Sequence, residues 1–220
     1  MCYILNIDCA VTGASICLSK NGELLRIAEN KNQKDQAAWL QPAIKELLTS
    51  AGVTLQDLEA IAVSSGPGSY TGLRIGLSTA KGLCFALALP LIAIGTLEMM
   101  AAGVTDSDTE LICPMIDARR MEVFTAVYNK QLETVLAPCA MILDEQSFAG
   151  ILDKHTVLFF GNGSIKFQSL INNQHAIFKP VETTAIQLIK IAHKRLLAGD
   201  FNDVAYTEPM YIKNFHSSVK

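Results

Sequence analysis

The stretch from position 64 to 82 constrains this chain more than any other, and it reads Ser-Ser-Gly-Pro-Gly-Ser-Tyr-Thr-Gly-Leu-Arg-Ile-Gly-Leu-Ser-Thr-Ala-Lys-Gly. The apolar run at 60–63 that precedes it has the composition of a buried strand. Gly66, Pro67 and Gly68 then predict a tight turn, because glycine tolerates positive φ and proline fixes its own φ. The chain is therefore expected to leave a buried strand through a tight turn at this point.

A helix should follow that turn. The hydroxyl of Ser69 or Thr71 can cap it by accepting a hydrogen bond from an unpaired backbone N–H group. We expect the helix over about 73–89, ending at Pro90. Its apolar residues lie almost all the way round, which predicts burial on most sides.

The loop between this strand and helix has two interpretations. A strand, a glycine-rich turn and a helix N-terminus can together bind an anion, because backbone N–H groups and the helix dipole converge there. The spacing Gly66-x-Gly68-x-x-x-Gly72 is one residue longer than the dinucleotide fingerprint, and no Lys-Ser or Lys-Thr pair follows at P-loop spacing. The residues alone leave both a phosphate-binding loop and a purely structural turn open.

The composition predicts a folded cytoplasmic protein. Of the 220 residues 50% are hydrophobic and 18% are charged, which excludes disorder as the main state. The net charge of −3 argues against a protein that binds nucleic acid unaided, because such proteins neutralise phosphates with a basic patch. The N-terminus lacks a secretory signal, and the longest apolar run, at 83–97, is interrupted by Pro90 and too short to span a bilayer, so we expect no membrane association.

The two halves of the chain repeat one order of predicted elements, three short strands followed by helix and strand, although no sequence repeat is visible. A polar, aperiodic linker at 103–110 separates them, so we predict subdomains over 1–103 and 104–220. This pattern is similar to the duplicated α/β fold of actin-like ATPases and sugar kinases, the ASKHA or ribonuclease H-like fold. The later predicted elements include strands at 111–116, 122–128, 132–136 and 157–160 and helices at 144–152 and 184–197.

The glycine-rich stretch also carries a family resemblance. Gly-Pro-Gly-Ser-Tyr-Thr-Gly-Leu-Arg-Ile-Gly at 66–76, with Ala-Lys-Gly at 80–82, resembles the hallmark of the bacterial TsaB (YeaZ) family. Three further regions match the family at the expected places, around 4–8, 117–124 and 208–213. The resemblance covers essentially the whole chain and implies the actin-like fold.

The resemblance implies a non-catalytic subunit that takes part in the synthesis of N6-threonylcarbamoyladenosine (t6A) at position 37 of tRNAs reading ANN codons. Such a chain would pair with and activate a TsaD-like catalytic subunit, with a TsaE-like ATPase completing the complex. It would contact tRNA only through that complex, which would use ATP and magnesium, while the chain alone would need no cofactor. The same pairing surface could also support a homodimer.

One side of the helix after the loop is the expected partner surface. At about 100° per residue its polar and aromatic residues fall on one stripe, and Gly76 and Ala80 on the opposite side should face the core. Following the resemblance, we assign partner binding to this stripe, its flanks and the tryptophan of the first helix: Trp39, Tyr70, Arg74, Leu77, Ser78, Lys81 and Phe85.

Two enzymatic alternatives are weighed against this function. A nucleotide-dependent phosphotransferase of the same fold would use Asp8, Gly66 and Gly68 to bind a nucleotide, but Cys9 and Ala10 stand where polar or glycine residues would help a phosphate approach. A metallopeptidase would need a histidine pair, and the four histidines show none at metal-binding spacing. We therefore predict no catalytic residue and no metal site.

A second charged cluster, formed by Asp117, Arg119, Arg120 and Glu122, lies at a predicted strand–turn–strand junction. It has two interpretations. One is a solvated hairpin with a local salt bridge, and the other is a contact with a partner or with RNA.

Overall fold

A computed structural model describes residues 1–11, 13–32, 35–104 and 108–213 of the chain. These residues form two compact units, and unit 1 contains Met1–Gly103 and Glu182–Pro209. Unit 2 contains Val104–Val181 and the described residues after Pro209. The sequence predicts a second subdomain over all of 104–220. For residues 182–209 this prediction is wrong, because they pack with unit 1.

Unit 1 is built on a five-stranded mixed sheet with the strand order β3-β2-β1-β4-β5. The first three strands pair antiparallel, while β1, β4 and β5 run parallel. The strands are β1 Tyr3–Asp8, β2 Ala14–Lys20, β3 Glu23–Asn30, β4 Leu58–Ser64 and β5 Leu91–Ile94. The helices that connect and follow them are α1 Gln36–Ala51, α2 Tyr70–Leu87 and α3 Thr96–Ala102.

Unit 2 repeats this arrangement. Its strands are β6 Leu111–Asp117, β7 Glu122–Asn129, β8 Thr134–Ile142, β9 Val157–Phe160 and β10 Ala176–Phe178, in the order β8-β7-β6-β9-β10. The first three again pair antiparallel, and β6, β9 and β10 run parallel. Short helices α4 Ala149–Leu152 and α5 Ser164–Gln168 connect the parallel strands. The predicted duplicated actin-like α/β fold is therefore confirmed.

The segment that returns to unit 1 contains a 3₁₀ turn, Ala185–Gln187, and helix α6, Leu188–Ala198. The backbone of Ala185 is bonded twice to β2, because its N–H donates to Ser15 Oγ (2.8 Å) and its carbonyl accepts from Cys17 Sγ (3.3 Å). On α6 the guanidinium of Arg195 forms an ion pair with Glu98 at 3.0 Å. These long-range bonds explain why the segment belongs to unit 1.

Each unit has its own apolar core. In unit 1 the inward residues of α1 and α2, such as Leu40 and Leu77, pack on Leu5 and Ile7 of the sheet. The core of unit 2 is built around aromatic rings, where Phe148, Phe159 and Phe167 lie 5.0–5.3 Å apart between centroids. None of the described helices is long and apolar enough to cross a membrane.

Several elements of unit 2 differ from the sequence-based expectation. The helix expected over 144–152 begins only after Phe148, whose positive φ of 64° is incompatible with a helix interior. The strand expected over 132–136 lies at Thr134–Ile142, because Leu132 occupies a turn with φ of 63°. Helix α5 and strand β10 were not predicted, since three to five residues are too short to show a period.

The turn after β4 holds the start of α2 against the loop that follows β1. The N–H of Ser69 donates to the carbonyl of Ala10 at 2.6 Å, and Ser69 Oγ caps α2 by accepting from the N–H of Gly72 at 3.2 Å. A Cβ on Gly68 would overlap the carbonyl oxygen of Ala10, and a Cβ on Gly72 would overlap that of Cys9. Both glycines are therefore required by close backbone approach rather than by their φ angles.

We expect Gly72→Ala to lower the free energy of unfolding by roughly 2–4 kcal/mol, because the backbone carbonyl of Cys9 must move to admit the methyl group. Urea denaturation of both proteins measures this change. Gly82→Ala is the matched control on the same helix, since no atom lies within 4 Å of the position that its Cβ would take. The control should gain about 0.5–1 kcal/mol from helix propensity. Equal stabilities for the two variants would contradict the close contact.

Candidate functional site

Asp8 is the last residue of β1, and its carboxyl group is hydrogen-bonded within the protein. Its side chain is buried, and Oδ1 accepts from Ser64 Oγ at 2.6 Å and from the N–H of Ala10 at 2.9 Å. Burial raises the pKa of Asp8, while these two hydrogen bonds act in the opposite direction. Asp8 therefore links the ends of β1 and β4.

The glycine-rich loop is likewise held by hydrogen bonds to other parts of unit 1. The N–H of Gly66 donates to Thr96 Oγ1 at 3.0 Å, and its carbonyl accepts from the N–H of Thr96 at 2.7 Å. At the start of α2, the N–H groups of Ser69 and Gly72 already have protein acceptors. An anion site at a helix N-terminus needs such N–H groups free to face the ligand.

The geometry of this loop favours a structural turn over a phosphate cradle. Cys9 and Ala10 are fully buried, and their carbonyl oxygens lie against Gly72 and Gly68. A carbonyl oxygen presents negative partial charge, so this packing does not fit a phosphate group. Nucleotide binding by Asp8, Gly66 and Gly68 stays a prediction, and these residues provide no cradle for it.

Helix α2 presents one solvent-exposed side, which we call the α2 face: Tyr70, Arg74, Ser78, Gly82, Phe85 and Ala86. The prediction that Phe85 points outward is confirmed, because 85% of its surface is exposed. The guanidinium of Arg74 lies 3.9 Å above the ring centroid of Tyr70, a cation–π contact at the start of the helix. The small residues Gly82 and Ala86 were not identified from the sequence, although Ser78, Gly82 and Ala86 follow one another at intervals of four, which indicates one helical side.

Three residues assigned to the partner surface are placed differently. Leu77 is 3% exposed and belongs to the core of unit 1, so its assignment to the surface is wrong. The ammonium of Lys81 donates to the carbonyls of Ala205 (3.2 Å) and Thr207 (2.9 Å), so it holds the chain after α6 against α2. Trp39 on α1 is half-buried and packs on the core of unit 1.

The histidine and cysteine side chains do not come together in a metal-binding or nucleophilic site in the described residues. Within the described ranges, no group of three His, Cys, Asp or Glu side chains could hold a metal ion. His155 contacts Glu110, His175 contacts the carbonyl of Leu152, and His216 lies outside the described residues. Burial raises the pKa of four thiols to about 12, which makes them poor nucleophiles at neutral pH: Cys9, Cys17, Cys84 and Cys113.

The charged cluster at the β6–β7 turn uses partners from elsewhere in unit 2. Asp117 forms an ion pair with Lys166 at 2.6 Å, and the carboxylate of Glu122 forms one with Lys213. The hydrogen bond from Lys166 is the main reason that the pKa of Asp117 is lowered. Arg119 is not within ion-pair distance of Asp117 or Glu122. The two salt bridges therefore join the turn to lysines elsewhere in unit 2, and they are not the local salt bridge within the hairpin that one interpretation of the sequence predicts.

Comparison with known proteins finds relatives whose similarity extends over most of this chain. Residues 27–213 match the family model "TsaD: tRNA N6-adenosine threonylcarbamoyltransferase". The tRNA threonylcarbamoyladenosine biosynthesis protein TsaB of Escherichia coli is 30% identical over 96% of this chain and 94% of its own length. The protein of the same name from Bacillus subtilis is 33% identical over 77% of this chain and 75% of its own length.

Solved structures give the same result. A Pseudomonas aeruginosa protein described as having similarity to peptidase YeaZ superposes with a TM-score of 0.84 at 26% identity, over 97% of this chain and 100% of its own. A second structure, named YeaZ and from the same organism, has a TM-score of 0.79 at 26% identity, over 96% of this chain and all of its own. The chain therefore belongs to the TsaB (YeaZ) family of tRNA threonylcarbamoyladenosine biosynthesis proteins.

Proposed function

We propose that this chain is a non-catalytic subunit that pairs with and activates a TsaD-like catalytic subunit during t6A formation on tRNA. A TsaE-like ATPase would complete the complex, and ATP and magnesium would act within that assembly rather than on this chain alone. The names of the TsaB relatives support the pathway. The exposed α2 face is the observation that carries the partner role.

The α2 face has the features of a helix-docking surface. Phe85 supplies a large aromatic group that nothing in unit 1 covers, since 85% of its surface is exposed. Ser78, Gly82 and Ala86 are exposed and small, so a partner helix can approach the backbone closely. Aromatic residues surrounded by close packing are typical hot spots of protein interfaces. The same surface could bring two copies of this chain together.

The packing of the β1–β2 turn against the glycine-rich loop favours this function over a phosphotransferase. A phosphotransferase that bound its nucleotide through Asp8, Gly66 and Gly68 would need these residues free to contact phosphate groups. Here the carbonyls of Cys9 and Ala10 face the glycines of that loop, and Asp8 is buried against Ser64. A metallopeptidase has less support, because the described residues contain no metal-binding cluster.

We expect Phe85→Glu to weaken pairing with the TsaD-like subunit by at least about 2 kcal/mol, or roughly 30-fold in dissociation constant. The reason is that a carboxylate replaces the most exposed aromatic side chain of the α2 face. The variant should stay folded, because Phe85 makes little contact with its own core. Calorimetric titration measures the affinity, and circular dichroism checks the fold.

Leu197→Glu is the matched control, because Leu197 is an apolar residue of α6 that is 75% exposed and outside the α2 face. It introduces the same charge into unit 1 and should pair normally. Normal pairing of Phe85→Glu, or an equal loss in both variants, would place the interface elsewhere.

We expect the isolated chain to bind ATP with a dissociation constant no tighter than about 10 μM, near −7 kcal/mol, in the presence of magnesium. The buried Asp8 and the carbonyls against Gly68 and Gly72 leave no preformed phosphate site. Calorimetry of the purified chain measures this affinity.

Asp8→Asn tests the same point independently, because the amide oxygen can still accept from Ala10 and Ser64. The variant should leave the weak ATP affinity unchanged. Submicromolar ATP binding by the natural chain that Asp8→Asn abolishes would favour the phosphotransferase instead.

A further inference from the structure

The turn between β6 and β7 displays two adjacent arginines in an uncommon backbone conformation. Arg119 and Arg120 are both exposed, and both have left-handed backbones with φ of 68° and 50°. Residues with side chains rarely adopt this region, and turns that require it usually place Asn, Asp or Gly there. Two long cationic side chains at such positions favour a role for their guanidinium groups outside the fold.

The turn is held in shape from both sides. Asn162 Oδ1 accepts from the N–H of Asp117 at 2.8 Å, and Asp117 Oδ1 accepts from the N–H of Arg119 at 2.6 Å. The ammonium of Lys166 bonds to Asp117 Oδ1 at 2.6 Å and to the carbonyl of Glu122 at 3.2 Å. The two arginines therefore project from a turn whose backbone is fixed by hydrogen bonds on each flank.

The same contacts leave positive charge in excess at the turn. Lys166 balances Asp117, and Lys213 balances Glu122. Throughout the described part of the chain, no carboxylate lies within ion-pair distance of the guanidinium of Arg119 or Arg120. This local excess stands out on a chain whose net charge is −3.

We propose that the Arg119–Arg120 turn contacts the phosphodiester backbone of RNA. Guanidinium groups match phosphate oxygens in geometry and charge and can donate two parallel hydrogen bonds. A hairpin tip is convex, so it suits the backbone of a macromolecule better than a small ligand, which proteins hold in concave sites. The choice of RNA over another polyanion rests on the proposed function.

At physiological salt we expect tRNA contact only within the complex, but at about 50 mM salt two phosphate contacts should let the chain alone bind tRNA weakly. Titration of the full chain into a fluorescent, unmodified tRNA transcript, followed by anisotropy at that salt concentration, tests this contact. We expect measurable binding that the double variant Arg119→Gln/Arg120→Gln weakens at least tenfold. The slope of log affinity against log salt should fall by about 1.4–1.8, because two phosphate contacts are lost. The double variant Lys45→Gln/Lys194→Gln removes two exposed cations from unit 1 and is the charge-matched control, expected to bind within about twofold of the natural chain.

Three results of the tRNA titration would overturn the proposal. They are no binding of tRNA by the natural chain at low salt, an equal loss in both double variants, and displacement of the tRNA by millimolar inorganic phosphate but not by chloride of the same ionic strength. The last would assign the turn to small anions.

Pairing with the TsaD-like subunit is measured separately and should be unchanged in Arg119→Gln/Arg120→Gln. A selective loss of that pairing, with tRNA binding intact, would assign the turn to an acidic protein surface and also overturn the proposal. Failure of the natural chain to pair would count against the proposed function alone.

Discussion

The contact between the carbonyls of Cys9 and Ala10 and the glycines before and within the first turn of α2 determines where this helix lies on the sheet of unit 1. Because Gly72 and Gly68 have no side chains, α2 begins directly against the end of β1 and packs its inward side on the sheet. In the same contact the N–H of Ser69 donates to the carbonyl of Ala10, so this N–H is not free to face an anion. The close packing that positions α2 thus brings carbonyl oxygens against the glycine-rich loop, and the other side of the helix is exposed.

The two units show how one topology can carry different chemistry. Asp8 and Asp117 each end the first strand of a sheet with the same strand order. Asp8 is buried against Ser64, whereas Asp117 is exposed and paired with Lys166. The β1–β2 turn is therefore packed within unit 1, whereas the β6–β7 turn presents charged side chains to solvent. These differences arise from the residues of the turns, since the sheets themselves are alike.

Residue types and short-range spacing in the sequence predicted the structural features that depend only on residues close together in the chain. The cap at Ser69 and the exposure of Phe85 follow from residue type and from helical spacing. The hydrogen bonds of Lys81 could not be predicted because its acceptors lie at 205–207, far along the chain. Leu77 was misassigned because spacing alone cannot locate the edge of a buried side. The return of 182–209 to unit 1 likewise rests on bonds between distant residues, such as Ala185 to Ser15, that leave no local pattern.

Reconstitution of t6A formation from purified components is the decisive test of whether this chain is a partner subunit without catalytic chemistry of its own. The assay measures t6A in a tRNA transcript after incubation with threonylcarbamoyl-adenylate, the TsaD-like subunit and the TsaE-like ATPase, with and without this chain. We expect no modification and no ATP hydrolysis by this chain alone, and modification by the mixture only when this chain is present. Full-rate modification without the chain, or modification by the chain alone, would contradict the partner role.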